Sequence, residues 1–347
     1  MKTIGIDCRF AGGNSGLGRF TRCIVEQLLI REDNVRYVLF VRSSTESWIS
    51  ELPRSANTTL FPANIAHYSL AEQLYFPGML RRSGIDLLFA PHFNVPLLCP
   101  VPFVATIHDL ILHGHAAHTG LLRRSLYRVQ MSHTVRSAKH IIAVSAFTAL
   151  EIGGAYGPGV LAKCTVTGEG VEEVFSPPQE AAVVAARSRY RLPDHFFLYV
   201  GSAKPHKNVE MLLEAFASQT AKNRSLVLVL PPGACLETKP PGVHVLHDVP
   251  TQDLPSLYGA ADCFVTASTN EGFCLPLAEA LCSGCPAIAV NRTAITETAH
   301  GAAMLVEPTT QALRTAMQDP PRRPVHYPRP SWKVAAARIA AVLTKSL

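Results

Sequence analysis

The chain has 347 residues, 48% of them apolar and 17% charged, with a mean hydropathy of +0.15. That length serves about two domains, each with a large core, and the composition excludes a mainly disordered chain. The net charge of +6 is mild, and residues 1–175 and 176–347 each carry 16 basic and 13 acidic side chains, so no basic arm exists for nucleic-acid binding by charge alone.

A weak attraction to anionic membrane surfaces stays open. Nine cysteines, an odd number without a framework, point to buried free thiols in a reducing compartment. Asp7 and Arg9 interrupt the opening apolar stretch too early for a secretory leader. The most apolar region, 87–107, is broken by Pro91, Pro96, Pro100 and Pro102 and contains His92 and Asn94. No segment reaches the ~18 uninterrupted apolar residues of a spanning helix, and the expectation is a soluble cytoplasmic protein.

Short apolar runs alternate with amphipathic segments. A strand is expected at 3–7, then a glycine-rich turn and a helix over 17–30. Strands follow at 37–41, 87–90, 103–107 and 141–145, with helices near 69–82 and 121–138. Residues 172–195 have no strand character, contain Pro177, Pro178 and Pro193, and read as a linker with a short helix. The pattern restarts with a strand at 196–202, a helix at 207–218, and strands at 226–230 and 243–246. A helix at 251–261, a strand at 263–268, a helix at 276–283, strands at 287–290 and 302–306, and a helix at 309–318 complete the series. The proline-rich stretch 319–330 precedes a last helix over 332–343. This order predicts two doubly wound α/β domains facing a cleft, with boundaries at 1–175, 176–330 and 331–347.

In open parallel sheets ligands sit beyond the carboxyl ends of strands, so the loops there are the informative ones. The first, AGGNSGLGRF (11–20), carries Gly12, Gly13, Gly16 and Gly18, and the helix after it points its positive end at an anion. It matches neither a dinucleotide fingerprint nor a P-loop. Arg19 stands at the helix start, within reach of a phosphate or simply in water. His108 and Asp109 end the strand at 103–107, placed to hydrogen-bond sugar hydroxyls, to share a proton, or to make a structural contact with each other. His113, His115 and His118 follow, but no cysteine or carboxylate stands at ligand spacing, so no metal site is expected.

VGSAKPHKN (200–208) gathers Lys204, His206 and Lys207 at a strand-to-helix turn, suited to a diphosphate or to water. In EGFCLPLAE (271–279), Glu271 and Glu279 flank seven residues. Pro276 suits a first helical turn, and Glu279 is expected on that same turn. Two carboxylates with free backbone N–H groups between them fit a ligand with a diphosphate in the middle and hydroxylated sugars at both ends. Helix capping is the plainer alternative. Cys282 and Cys285 form a single C-x-x-C at a helix end, where thiols are not activated.

These blocks together resemble family 4 of the glycosyltransferases, which have the GT-B fold. The likeness spans the chain: IGIDCRF…SGLGRFT, VATIHDL, IIAVSAFTALEI leading to GEGVEEVF, YVGSAKPHKN, the run from LYGAADCF to CPAIAVN, and TETAHGAAMLVEP. EGFCLPLAE corresponds to the family's E-x7-E motif, and the terminal helix opening SWKVAA is similar to the one that crosses back to the N-terminal domain.

The resemblance implies retention of anomeric configuration without a metal or other cofactor. Glu279 would bind the nucleotide ribose and Glu271 the donor-sugar hydroxyls. Backbone amides around Gly272, Phe273, Cys274 and Leu275 would meet sugar or phosphates. Lys207 corresponds to the diphosphate-binding lysine, and His108 to the histidine facing the donor sugar. The Gly16–Gly18 loop would lie beside the diphosphate, and Arg19 and Asp109 on the acceptor side. Where many members carry an arginine after the strand glycine, this chain has Ser202, leaving Lys204 or His206 to supply charge. The stretch 307–331 is also shortened.

The expected donor is GDP-mannose. The expected acceptor is a growing polysaccharide or lipid-linked glycan at the inner membrane face, where Arg81–Arg82 and Arg123–Arg124 would assist. The rival readings are a nucleotide-sugar epimerase on the same fold, a non-catalytic nucleotide-sugar-binding partner subunit, and a nicotinamide-dependent oxidoreductase, which would need the missing glycine fingerprint.

Overall fold

The computed structural model describes residues 1–13, 15–31, 34–53, 56–111, 121–217, 224–236, 238–323 and 325–347. The chain divides into two compact units, one of Met1–Gly170 with Ser331–Leu347, the other of Val171–Pro330.

The first unit is built on seven parallel strands, β1 (Lys2–Asp7), β2 (Val35–Val41), β3 (Thr58–Pro62), β4 (Leu87–Ala90), β5 (Phe103–Ile107), β6 (His140–Ala143) and β7 (Cys164–Val166). Their order is β3-β2-β1-β4-β5-β6-β7. Growth reverses between β1 and β4, which makes the loops after those strands the switch point where ligands bind in such sheets. The inner strands read as apolar runs because both faces are covered. Along β5, Phe103, Ala105 and Ile107 enter one core with Leu88, Phe76 and Met131, while Val104 and Thr106 are buried on the other face.

The second unit has six strands: β8 (Phe196–Val200), β9 (Ser225–Leu230), β10 (Val243–His247), β11 (Cys263–Thr266), β12 (Ala287–Val290) and β13 (Met304–Val306). They run parallel in the order β10-β9-β8-β11-β12-β13, with the reversal between β8 and β11. Period-two alternation divides each strand between two cores. Phe196 and Leu198 pack on one face with Phe264, Ala287 and Ala289, and Phe197 and Tyr199 on the other with Val265, Ile288 and Val290.

The structure adds elements the sequence pattern does not predict. β3 and β7 are edge strands: TTLFP is half-exposed and ends in a proline, and CTV is three residues long. The helix Ala146–Tyr156 contains Gly153 and Gly154 and lacks a clear helical period, but Ser145 caps it by accepting from Thr148 N–H. The expected strand at 263–268 stops at Thr266, and Ser268 and Thr269 instead hydrogen-bond across the switch point.

The closing helix, Trp332–Ser346, belongs to the first unit. Trp332 packs edge-on to Phe20 at 5.9 Å, and Lys139 Nζ donates to Ser346 O at 2.8 Å. A Cβ on Gly170 would fall 2.3 Å from Trp332 N, so only glycine lets the chain pass there. No helix among the described residues is long and apolar enough to cross a membrane.

Candidate functional site

In the second unit two loops meet at the β8/β11 switch point. After β8 the chain leaves through Gly201 (φ +155°), and Tyr199 Oη donates to the Ser202 main-chain oxygen at 2.7 Å. Pro205–Lys207 then form one 3-10 turn carrying His206 and Lys207. The His206 carbonyl accepts from Thr269 N–H at 2.8 Å and from the hydroxyls of Ser268 and Thr269 at 3.2 Å each. Those bonds lock the β8 loop to the β11 loop and bring Lys207 to Glu271: Lys207 Nζ lies 2.6 Å from Glu271 Oε1, with both side chains largely buried. A charge-assisted bond of this length is strong, and each partner keeps the other from being an unpaired charge.

Glu271 is also held through its main chain, where its N–H donates to Thr293 Oγ1 at 3.1 Å. The next segment turns sharply into the helix Leu275–Cys282. The sharp residue is Cys274, at φ +78°, and not the glycine of the motif, Gly272. A cysteine at positive φ stores local strain, and such strain collects at functional sites. The Cys274 thiol is buried and its pKa is raised, mainly by burial and then by the Glu271 charge. Phe273 is tied down by Thr298 Oγ1, which donates to its carbonyl.

Glu279 is the fifth residue of this helix, so it sits on the second turn and not the first. It is buried, and Tyr258 Oη donates to its Oε2 at 3.1 Å. Two features of this loop were not read from the sequence. Tyr258 is 21 positions upstream and only the fold brings it to Glu279. Asn270 has a buried Oδ1 that accepts no hydrogen bond, an acceptor that a ligand hydroxyl would satisfy. The signal for Asn270 was its place beside Glu271.

In the first unit the glycine loop enters the helix Gly16–Leu29, with Ser15 Oγ accepting from Gly18 N–H at 3.2 Å. Gly18 is the indispensable glycine, because a Cβ there would lie 2.3 Å from Gly13 O and 2.9 Å from Phe10 O. Gly16 is the exposed first residue of the helix, and Arg19 lies one residue past Gly18 with its N–H bonded to Ser15 O. Arg22, which carried no expectation, clamps the loop by donating to Gly13 O at 2.9 Å and to Ala11 O. Arg9 turns inward and bonds Asp7 and Glu72, a buried structural network.

His108 follows β5, as the T-I-H-D-L pattern predicts, but it does not pair with Asp109. Its Nδ1 lies 3.2 Å from Glu169 Oε1 and its Nε2 2.9 Å from the Pro91 main-chain oxygen. Asp109 Oδ1 accepts from Ile111 N–H instead. The reason is direction: consecutive residues leave a strand end on opposite sides, and Glu169 comes round on the far loop. Burial opposes a charged His108, yet the bond and charge of Glu169, the Pro91 carbonyl and Asp109 together raise its pKa.

A pocket of about 610 Å³ adjoins the glycine loop, lined by Phe10, Gly12, Gly13, Arg42, Trp48 and His67 among others. Another, of about 470 Å³, lies among Arg224, Asp262 and Pro286 at the opposite, amino-terminal edge of its sheet, away from the motif loops. Cys282 and Cys285 remain free thiols, pushed up by burial to about 11 and about 12, which suits neither redox nor metal work. No cluster of potential metal ligands occurs among the described residues, and the side chains of His113, His115 and His118 lie outside them.

The comparisons with known proteins fall on both units. The glycosyltransferase family 4 pattern matches residues 14–173, and the pattern of the group 1 glycosyl transferases matches residues 185–323. The O-antigen chain mannosyltransferase B of Escherichia coli is 25% identical over 322 residues, covering 85% of this chain and 83% of that protein. The O-antigen chain mannosyltransferase RfbU of Salmonella typhimurium is 24% identical over 242 residues, 66% of this chain and 63% of that protein. Among solved structures, Anabaena HepE in complex with UDP-glucose superposes with a TM-score of 0.70 at 17% identity, over 99% of this chain and 95% of that one. WaaG, a glycosyltransferase of lipopolysaccharide biosynthesis, gives 0.67 at 17% identity, over 98% and 95%. With its two parallel-sheet units and these matches, the chain belongs to glycosyltransferase family 4 and has the GT-B fold.

Proposed function

We propose that this glycosyltransferase moves mannose from GDP-mannose to a hydroxyl of a growing polysaccharide or lipopolysaccharide glycan, with retention of configuration and without a metal. The observation that carries the reading is the Lys207–Glu271 pair, set before the amino-terminal end of the helix that bears the buried Glu279. The two mannosyltransferase relatives support the sugar and the acceptor class.

In this reading the donor diphosphate takes Lys207 from Glu271, which is then free to accept from sugar hydroxyls. Glu279, held by Tyr258, accepts from the ribose. The amides of Gly272, Phe273, Cys274 and Leu275 meet sugar or phosphate, and the loop of Gly16 and Gly18 lies beside the diphosphate. The bond from the anomeric carbon to the diphosphate oxygen breaks as the acceptor oxygen bonds to the same face of that carbon. The acceptor proton passes to the departing diphosphate. Lys207, His206 and the helix amides offset the charge growing there, the largest electrostatic demand of the step. His108 faces the donor sugar, and Arg19 and Asp109 bind the acceptor.

The setting is the cytoplasmic membrane face, where lipid-linked glycans grow. The helix Leu70–Arg82 exposes Leu70, Leu74 and Tyr75 and ends in Arg81 and Arg82, a pattern suited to an anionic surface.

A panel of GDP-, UDP-, ADP- and dTDP-sugars with EDTA present tests the reading. GDP-mannose should raise Tm selectively and yield an α-linked product by NMR; selective binding of another nucleotide would sink the donor assignment. One observation favours a second reading, a donor-binding partner subunit: Ser202 stands where many members carry arginine, and it engages Tyr199 through its main chain. Donor binding without transfer to any acceptor would select it.

A further inference from the structure

The surroundings of His108 fix more than its position. Both ring nitrogens face atoms that only accept, the Glu169 carboxylate at 3.2 Å and the Pro91 carbonyl at 2.9 Å. A neutral imidazole has one N–H and one lone pair, so either tautomer would set a lone pair against an oxygen lone pair. The imidazolium donates to both. The other groups around the ring agree. Phe20, perpendicular to the ring at 4.7 Å, brings no charge, Asp109 adds negative charge, and His92, stacked at 6.4 Å, is driven toward neutrality by burial first and then by its histidine neighbours.

Glu169 is aimed by its neighbours. Gly168 takes φ +76°, which favours glycine, and Gly170 passes where a Cβ would collide with Trp332, so Gly-Glu-Gly lets the backbone follow the path that delivers the carboxylate. Glu169 is buried, 61 positions from His108, and its contact is longer than the about 2.7–2.9 Å usual for a charge-assisted N–H···O bond. An N–H can be shared between two acceptors, so the Nδ1–H that Glu169 holds can also serve a hydroxyl.

We propose that Glu169 is a positioning residue for transfer: it holds His108 as a fixed imidazolium whose Nδ1–H is shared with a hydroxyl of the donor sugar. His108 then acts as a donor and not as a base. This rests on the reading of His108 as sugar-facing.

The test is Glu169→Gln, with Glu169→Asp as the conservative partner, in the full chain. Histidine-selective 15N NMR, with the His108 signals identified by their loss in His108→Asn, should show both ring nitrogens protonated at neutral pH in the wild type and one in Glu169→Gln. Wild-type transfer should fall as pH rises through the raised pKa of His108. In Glu169→Gln that fall should move to lower pH, so its deficit against the wild type should widen as pH rises, reaching about tenfold or more on the alkaline side. Glu169→Asp should restore much of the alkaline activity, with Tm showing that all variants fold. A singly protonated wild-type His108, or an active Glu169→Gln enzyme with an unmoved pH profile, overturns the positioning role alone. A wild type with the expected NMR signals that transfers no sugar overturns the transferase reading and the positioning role with it.

Discussion

The two units place their charged side chains by different means. In the second, Lys207 and Glu271 come from loops after β8 and β11, neighbouring strands at the reversal of the sheet, and Glu279 follows on the next helix. In the first, His108 waits for Glu169 from the last strap of the unit and for the carbonyl of Pro91 after β4. A short motif suffices where the sheet's own switch point joins the loops. Where the partner arrives from two strands away, the motif shows one half of the pair.

Substitutions sharpen this contrast. The largest effect is expected at Lys207→Ala, which should slow transfer by roughly 10²-fold or more through lost stabilisation of the diphosphate. It also leaves Glu271 buried without its cation, so Lys207→Arg should recover more activity than Lys207→Gln. Single-turnover rates decide the matter, and unchanged turnover removes Lys207 from the mechanism.

Next come Glu279→Ala and Tyr258→Phe. Removing the carboxylate should weaken nucleotide affinity by about tenfold or more, as for loss of a hydrogen bond to a charged group. Removing only the Tyr258 hydroxyl should cost less, about three- to tenfold, because it acts through Glu279. Calorimetric titration with GDP checks both, and equal losses in the two variants would contradict that order.

Gly18→Ala probes the first unit's loop by sterics alone. The new Cβ would strike Gly13 O, so stability should fall by about 1–3 kcal/mol, seen as a lower Tm. Gly13→Ala, with nothing closer than 3.7 Å to its Cβ, should be much milder. The smallest effect is expected at Cys282 and Cys285. At neutral pH an alkylating agent should label exposed Cys235 well before either of them, with activity retained.

The His108 pair also has a stability signature. Its pKa is raised in the folded chain, so the pair stabilises fully below the ordinary histidine value and loses that contribution as pH rises through the raised one. The Tm gap between wild type and His108→Asn should therefore close toward alkaline pH.

Much of the second site was legible because its chemistry is local. The period-two run of β11, the turn before Pro276 and the two glutamates lie within 17 residues of chain, and helix geometry does the rest. Tyr258 was not legible, since a tyrosine in a helix reads as core until its hydroxyl is found against Glu279. Cys274 in place of Gly272 was hidden too: which residue of a turn takes positive φ depends on what holds its flanks, here Thr298 on Phe273 and Thr293 on Glu271.

By itself the sequence determined the alternation of buried strands and helices, the two-unit order, and the loops at the carboxyl ends of the strands, because burial on both faces of a parallel sheet writes continuous apolar runs into the chain. Only the tertiary structure decided the partners. His108 bonds Glu169 and not its neighbour Asp109, and Arg9 is spent on Asp7 and Glu72. Hydrogen bonds answer to distance in space, and residues far apart in the chain meet where the sheet order brings their strand ends together.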